Sequence, residues 1–133
     1  MCGGNPVGKI TKFQEILAWQ KARALVKEIY RYSSTGSFGK DFALRSQMRR
    51  AALSIMSNIA EGFARRTSKE FANFLNISAA SAAEVQSLLY VAQDVGYVAE
   101  KEAETLRHLS EDISNMVRAF VRYLRTGHSK RSK

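Results

Sequence analysis

Four long stretches of this chain repeat apolar residues at the spacing of an amphipathic helix. The pattern predicts helices from about residue 13 to 33, from 40 or 41 to 65, from 67 or 68 to 96, and from 99 to 125. Glycines close three of these stretches, and the segment around Gly36 and Gly39 is predicted to be a loop. Because the connections are short, neighbouring helices are expected to run antiparallel. The sequence therefore predicts an all-α fold, an up-down-up-down four-helix bundle over residues 12–126.

Local signals support these boundaries. Residues 1–11 are expected to form a flexible lead, and residues 127–133 a basic disordered tail. Thr67 and Glu70 have the spacing of a capping box, which predicts the start of the third helix. The fourth predicted helix begins with glutamates and ends with arginines, an order that suits the helix dipole.

The third predicted helix lacks a polar face. Between Phe71 and Gln93 its only charged residue is Glu84, and small side chains surround it. A helix of this kind is usually buried on more than one side, so we expect it to pack against a second copy of the chain. The alternative is that alanine only supports helicity on an exposed face. The residues assigned to oligomer contacts or close packing are Ser54, Asn58, Glu61, Gly62, Ala79, Ala80 and Ala83.

The second predicted helix carries a polar stripe beside its apolar one. Ser54, Asn58 and Glu61 follow each other at i, i+4 and i+7. Because a carboxylate in apolar surroundings needs partners, we expect all three side chains to bond to a neighbouring helix. Gly62 in a helix costs about 0.5–1 kcal/mol relative to alanine, so a close neighbour is predicted there, such as Trp19 or Phe63 of a second copy.

The charge is strongly positive and unevenly distributed. The 133 residues include 21 Lys and Arg against 12 Asp and Glu, a net charge of +9. Residues 71–117 carry two basic and seven acidic residues, whereas residues 118–133 carry six basic and no acidic ones. Such a surplus favours nucleic acid or another polyanion as partner.

Arginines and lysines cluster in three places, at residues 45–50, 65–69 and 118–131. Arginine binds phosphate well because its planar fork donates two parallel hydrogen bonds. Tyr30, Tyr32 and Tyr123 can stack on bases, although aromatic residues near bundle ends more often belong to the core. The alternatives are a solvated basic surface without a dedicated partner and, less favoured, a membrane or an acidic protein. The candidate nucleic-acid-binding residues are Arg45, Arg49, Arg50, Arg65, Arg66, Lys69, Arg118, Arg122, Arg125, Lys130 and Arg131.

No pattern in the sequence favours an enzyme. His108 and His128 lack the spacing of metal ligands, and the segment 36–40 lacks the spacing of a phosphate-binding loop. We expect no catalytic residue, metal or cofactor; a hydrolase or nuclease acting through Glu61 is the least favoured hypothesis. Cys2 is the only cysteine, and neither a signal peptide nor a bilayer-spanning run is visible, so a cytoplasmic protein without membrane contact is expected.

Four segments together resemble the four-helix-bundle proteins encoded within intervening sequences of 23S ribosomal RNA genes. The resemblance covers residues 13 to about 125, and the segments that carry it are FQEILAWQKA (13–22), LRSQMRRAA (44–52), SIMSNIAEG (54–62) and KEFANFL (69–75). Met56 stands where the family usually has proline, which favours a straighter second helix. Family members also usually have proline in the first loop, here residues 37–40, and a Gly-Ser step where this chain has Ala80 and Ser81.

The resemblance implies ring-forming homopentamers without an established enzymatic activity. Related bundles are accessory variability determinants of diversity-generating retroelements, which bind a reverse transcriptase and its template RNA. Two hypotheses follow. The first is a non-catalytic oligomeric protein that binds nucleic acid, in particular RNA, through phosphate contacts. The second is an accessory scaffold that docks a reverse transcriptase and its template RNA.

Overall fold

The computed structural model describes residues 10–126, and all of the regular secondary structure in them is helical. A 3₁₀ turn at Phe13–Glu15 precedes five α-helices, and no strand occurs among the described residues. The all-α prediction is confirmed. The helices are α1 (Leu17–Tyr32), α2 (Gly36–Lys40), α3 (Phe42–Phe63), α4 (Ser68–Asp94) and α5 (Glu100–Arg125).

The four long helices, α1, α3, α4 and α5, form an antiparallel bundle in which each helix packs against two neighbours. Contact is most extensive where α4 meets α3 and α5, and it is least extensive between α1 and α5. The core consists of aliphatic side chains at helical spacing together with a few aromatic rings. Its largest fully buried members include Leu25, Met48, Ile59, Phe71 and Ile113.

The first predicted helix is interrupted at Ile16. The chain is extended at this residue, whose side chain is buried, and α1 begins only at Leu17. The Glu15 carboxylate accepts a hydrogen bond from the Thr11 backbone amide, with N···O 3.0 Å, and so closes the 3₁₀ turn. The prediction of one continuous helix from residue 13 is therefore wrong, because burial of Ile16 outweighs the helical periodicity.

The predicted loop at residues 36–40 is also wrong, because these residues form the one-turn helix α2. Its Phe38 side chain is buried and stacks on the Tyr97 ring, with ring centroids 5.1 Å apart. Gly36 has φ +62°, a conformation that side chains rarely adopt, and it turns the chain into α2. A single buried aromatic residue thus orders a segment whose glycines indicate a loop.

Side-chain caps fix the starts of α3 and α4. The Asp41 carboxylate accepts a hydrogen bond from the Leu44 amide at 3.1 Å, and the Thr67 hydroxyl accepts one from the Glu70 amide at 3.1 Å. The predicted cap at Thr67 is confirmed. The Tyr97 hydroxyl donates to the second Asp41 oxygen at 2.8 Å, which ties the α4–α5 connection to the start of α3.

Helix α4 is buried on two sides within one chain. Its Ser78 hydroxyl donates to the Ile55 carbonyl of α3 at 2.9 Å, while the Ser110 hydroxyl of α5 donates to the Ala82 carbonyl at 2.9 Å. Burial of this helix on more than one side therefore does not require a second copy of the chain, because α4 lies between α3 and α5. Ala79 is buried inside the chain, whereas Ala80 and Ala83 are exposed.

Candidate nucleic-acid interface

The predicted phosphate-binding residues separate into two groups at opposite ends of the bundle. The antiparallel order brings the α3–α4 connection and the C-terminus of α5 to one end, here called the basic end. The other end, here called the loop end, holds residues 33–41 and 95–99. The basic end carries Arg65, Arg66, Lys69, Arg118, Arg122 and Arg125, and the loop end or the adjoining first turns of α3 carry Arg45, Arg49 and Arg50.

A cleft at the basic end joins two of the predicted clusters. It has a volume of about 280 Å³ and lies between the first turn of α4 and the last turn of α5. Lys69 lines one side and Arg125 the other, with Ser68 and Asn73 as further polar residues. The fold therefore brings together cations that are more than 50 positions apart in the sequence.

Tight packing at Gly62 sets the turn that carries Arg65 and Arg66. A Cβ atom at Gly62 would lie 2.8 Å from both Phe71 Cδ1 and Phe74 Cβ, so only glycine allows α3 to approach α4 this closely. The predicted close neighbour exists, and α4 of the same chain supplies it, whereas a second copy was expected to do so. The Arg65 guanidinium lies 4.7 Å from the Phe74 ring centroid, so the same contact positions the first arginine of the turn.

The arginine stripe on α5, which consists of Arg118, Arg122 and Arg125, points away from the core. The Arg118 Nε donates to the Ser114 hydroxyl at 3.1 Å, one turn earlier on the helix. Arg122 and Arg125 are exposed, as are Arg66 and Lys69 across the cleft. Within residues 10–126 none of these last four side chains forms a hydrogen bond or ion pair with another described residue.

Arg45 and Arg49 make contacts of a different kind at the loop end. Both are half-buried, and Arg45 Nη1 donates to the Gly39 carbonyl at 2.8 Å. Arg49 donates to the Ser33 hydroxyl at 2.8 Å, to the Ser33 carbonyl at 3.2 Å and to the Ser34 hydroxyl at 3.0 Å. Its guanidinium also lies 4.3 Å from the Tyr30 ring centroid. Arg45 thus joins α3 to α2, and Arg49 joins α3 to the end of α1.

Two further arginines, Arg31 and Arg107, form hydrogen bonds with other residues of the chain. Arg31 forms an ion pair with Glu28 at 2.5 Å, and this hydrogen bond raises the pKa of Arg31. Arg107 donates to the Gln93 side-chain oxygen at 2.7 Å. Like Arg31, Arg50 is exposed, but it makes no hydrogen bond or ion pair with another described residue and lines a cleft of about 180 Å³ between α3 and α4.

The net charge of the described residues lies almost entirely in one half of the bundle. A cut through the middle of the long helices gives a basic half with nine basic and three acidic residues, and a second half with eight basic and nine acidic residues. The basic half comprises residues 10–24, 53–80 and 113–126, and the second half residues 25–52 and 81–112. A polyanion is therefore attracted to the basic end.

The polar stripe of α3 behaves differently at each of its three positions. The Ser81 hydroxyl of α4 donates to the Ser54 hydroxyl at 2.8 Å, so Ser54 bonds to a neighbouring helix. Asn58 donates its amide back to the Ser54 carbonyl and hydroxyl, at 2.8 and 3.0 Å, and so stays within α3. Glu61 is exposed. Its interpretation as a carboxylate in apolar surroundings is wrong, because it lies on the solvent side of α3 next to Gly62.

The clearest electrostatic coupling is between Asp41 and Tyr97 at the loop end, where it helps to hold the fold together. The Leu44 backbone amide and, second, the Tyr97 hydroxyl lower the pKa of Asp41 by hydrogen bonding to its charged form. The same bond to Asp41 raises the pKa of Tyr97, because it is made by the protonated hydroxyl. Both groups are remote from the basic end.

Several sequence-based expectations fall outside residues 10–126. Lys130, Arg131 and His128 lie in the segment 127–133, and most of the predicted lead lies in residues 1–9, both outside the described residues. Among the residues that the structure does describe, no cluster of His, Cys, Asp and Glu could hold a metal ion. Over the same range, every helix is too short or too polar to cross a bilayer.

Comparisons with known proteins agree on the fold. A family model described as "23S rRNA-intervening sequence protein" matches residues 14–119. A crystal structure of a protein of unknown function from the S23 ribosomal protein family of Bacteroides thetaiotaomicron superposes with a TM-score of 0.74. It shares 22% identity, and the alignment covers 80% of this chain and 96% of that chain. No curated protein matches this chain.

Proposed function

Since this chain belongs to the 23S rRNA-intervening sequence protein family, we propose that it is a non-catalytic protein that binds RNA through phosphate contacts at its basic end. The observation that carries the proposal is the cleft between Lys69 and Arg125, where cations of two helices meet. The family's name associates these proteins with ribosomal RNA, and the surplus of basic residues at this end fits a polyanion.

The proposal assigns different roles to the predicted binding residues. Arg66, Lys69, Arg122 and Arg125 contact phosphates, because they are exposed and make no described polar contact within the chain. Arg65 and Arg118 extend this surface, whereas Arg45 holds α3 to α2 and Arg49 holds α3 to the end of α1. Since phosphate contacts carry no sequence information, the binding is weakly sequence-specific. Lys130 and Arg131 remain predicted contacts, whereas Arg50, although exposed, lies in the other half of the bundle and is left out of the proposed interface.

The experiment that tests the proposal is RNA binding as a function of salt. A short single-stranded RNA and the duplex of the same sequence serve as probes. Each phosphate contact contributes roughly 0.7–0.9 to the slope of log affinity against log salt. We expect affinity to fall steeply between about 50 and 200 mM salt. An affinity that does not change over this range overturns the proposal.

We propose further that the protein self-associates through the exposed side of α4. Ile77 is 49% exposed and Val91 is 42% exposed, on the side of α4 that no other helix of the chain covers. Together with their neighbours they follow the alternating 4–3 spacing by which long helices pack side by side. The members of this α4 stripe are Asn73, Ile77, Ala80, Glu84, Ser87 and Val91.

The test of self-association is the native mass of two variants by light scattering. Ile77→Asp replaces a large apolar side chain of the α4 stripe with a charge. Ser87→Asp puts the same charge in place of a small polar side chain of this stripe and is a milder control. The proposed cytoplasmic homo-oligomer, a pentamer according to the sequence-based prediction, is expected to dissociate with the first change. A wild-type protein of monomer mass overturns the proposal.

An accessory scaffold for a reverse transcriptase and its template RNA is the second candidate function. The observation that favours it is that large apolar side chains besides the α4 stripe, Tyr90 on α4 and Val95 directly after it, are exposed to a protein partner. A reverse-transcriptase gene beside this gene, and co-purification that Tyr90→Asp abolishes, are the expected results. A gene position inside a ribosomal RNA operon, with no co-purifying polymerase, removes this candidate.

A further inference from the structure

An apolar groove opens between α1 and α5 at the basic end, where the contact between long helices is least extensive. Its volume is about 310 Å³, near the lower limit of pockets that hold small molecules. Nearly all of its surface is apolar, although Leu17 at its rim is 52% exposed to solvent. The side chains that line it include Ile16, Leu17, Ala18, Met116, Ala119 and Tyr123.

Two aromatic side chains, Phe120 and Tyr123, line this groove. Tyr123 is half-buried, and its ring packs edge-on against Phe120 with centroids 6.5 Å apart. Flat aromatic ligands stack favourably on such rings.

Cations adjoin the groove on both helices. Arg122 follows Ala119 by three residues and Lys21 follows Leu17 by four, so each lies on the helix surface next to the groove. The half of the bundle that contains the groove holds nine basic and three acidic residues. A ligand that suits both features has an apolar planar part joined to anionic groups, which is the chemistry of a nucleotide within a strand.

We propose that the groove between α1 and α5 receives one unpaired base of an RNA strand whose phosphates lie on the basic end. The inference rests on the proposed RNA binding and deepens it, because it names the class of RNA. A base enters the groove only when it is unstacked and unpaired, as in a loop, a bulge or a single strand. A regular duplex offers its phosphates to the arginines but no base to the groove.

The test compares two phenylalanine substitutions of exposed alanines. Ala119→Phe fills the groove without altering charge, and Ala43→Phe makes the same change on the first turn of α3, at the opposite end. The probes are a short single-stranded RNA and the duplex of the same sequence. We expect Ala119→Phe to weaken single-strand binding roughly tenfold, within the range of one base stack, and to change duplex binding less than about twofold.

A second measurement keeps the test independent of how Ala119→Phe folds. A single-stranded RNA containing 4-thiouridine is photocrosslinked to the wild-type protein, and the modified peptide is identified by mass spectrometry. Crosslinks in the peptide that contains Met116 and Tyr123 support the proposal. Crosslinks confined to other peptides overturn it, as does equal single-strand affinity of Ala119→Phe and Ala43→Phe.

The remaining outcomes separate this inference from the proposed function. If neither RNA binds even at low salt, the proposed function itself fails. If both RNAs bind and Ala119→Phe changes only thermal stability, another part of the protein fills the groove, and only the base-binding inference fails. Binding of anionic lipid vesicles that Ala119→Phe abolishes, with RNA binding unchanged, also overturns the inference.

Discussion

At the loop end, Arg45 and Arg49 reach back to the chain that precedes α3, whereas at the basic end Arg122 and Arg125 extend from the last turns of α5 into solvent. The four residues have the same chemistry and similar helical surroundings in the sequence. What separates them is the presence of backbone carbonyls and hydroxyls within hydrogen-bond distance. An arginine that already donates three hydrogen bonds, as Arg49 does, has little left to offer a phosphate.

The two ends also differ in the way they are built. Side-chain hydrogen bonds hold the loop end, among them the bond from Tyr97 to Asp41. The basic end is held by aromatic packing, since the Phe71 ring lies 6.0 Å from that of Phe63 and 5.0 Å from that of Phe120. The cations at the basic end therefore lie on top of packed aromatic side chains, and they are not needed to stabilise this end.

The largest expected effect comes from reversing charge at the basic end. The triple variant Arg118→Glu, Arg122→Glu, Arg125→Glu should weaken RNA binding about a hundredfold at about 0.1 M salt and lower the salt slope by roughly two to three. Its control reverses Lys27, Lys40 and Lys101, three exposed cations of the other half. Equal losses in the two triple variants would show that total charge, and not its position, governs binding.

Removing an arginine at the loop end should affect stability instead. Arg49→Met breaks the hydrogen bonds to Ser33 and Ser34 and is expected to lower the free energy of unfolding by about 1–3 kcal/mol. Arg122→Met should stay within about 0.5 kcal/mol of the wild type, because its side chain is exposed. Urea unfolding of both variants checks this. An Arg49 variant as stable as the wild type contradicts the structural role.

Gly62 tests how the basic end is built. Gly62→Ala gains about 0.5–1 kcal/mol of helix propensity, but its Cβ would meet Phe71 and Phe74 at 2.8 Å. Overpacking of this kind costs about 1–3 kcal/mol, so we expect a net destabilisation of about 1 kcal/mol. Thermal unfolding of this variant is compared with that of Ala60→Gly, which removes a Cβ two positions earlier on α3. A stabilised Gly62→Ala protein refutes the close contact.

The smallest effect is expected at Tyr97. Tyr97→Phe removes the donor to Asp41, so the pKa of this carboxyl should rise toward its ordinary value and the protein should lose some stability at neutral pH. Because the folded-state pKa of Asp41 is lowered, its contribution is present above the ordinary aspartate pKa and disappears as pH falls through the folded-state value. The difference in melting temperature between the two proteins should therefore shrink in acid; a constant difference contradicts this coupling.

Much of the fold could be predicted because its signals are local. Helical periodicity and the Thr67 cap place α3, α4 and α5 to within about two residues, as helix boundaries usually allow. The break at Ile16 and the turn of helix at α2 could not be predicted in this way, because each depends on the burial of one side chain against a distant element. Phe38 is ordered by Tyr97, which lies 59 positions later.

The candidate site was harder to predict than the fold. The sequence identifies Arg45, Arg49 and Arg122 equally as basic residues on helices, and only the folded chain places Ser33 beside Arg49. A usable signal existed, because Ser33 and Ser34 end α1 and leave carbonyls that a cation can satisfy. The groove between α1 and α5 had no comparable signal, since it arises from incomplete contact between two helices.

Arginine footprinting tests the difference between the two ends most directly, because it reads every arginine of the unmodified protein at once. The protein is treated with phenylglyoxal with and without single-stranded RNA, and each modified arginine is quantified by mass spectrometry. We predict that RNA protects Arg66, Arg122 and Arg125, while Arg50 reacts equally in both samples and Arg49 reacts slowly in both. Protection of Arg50 without protection of Arg122 and Arg125 would contradict the account.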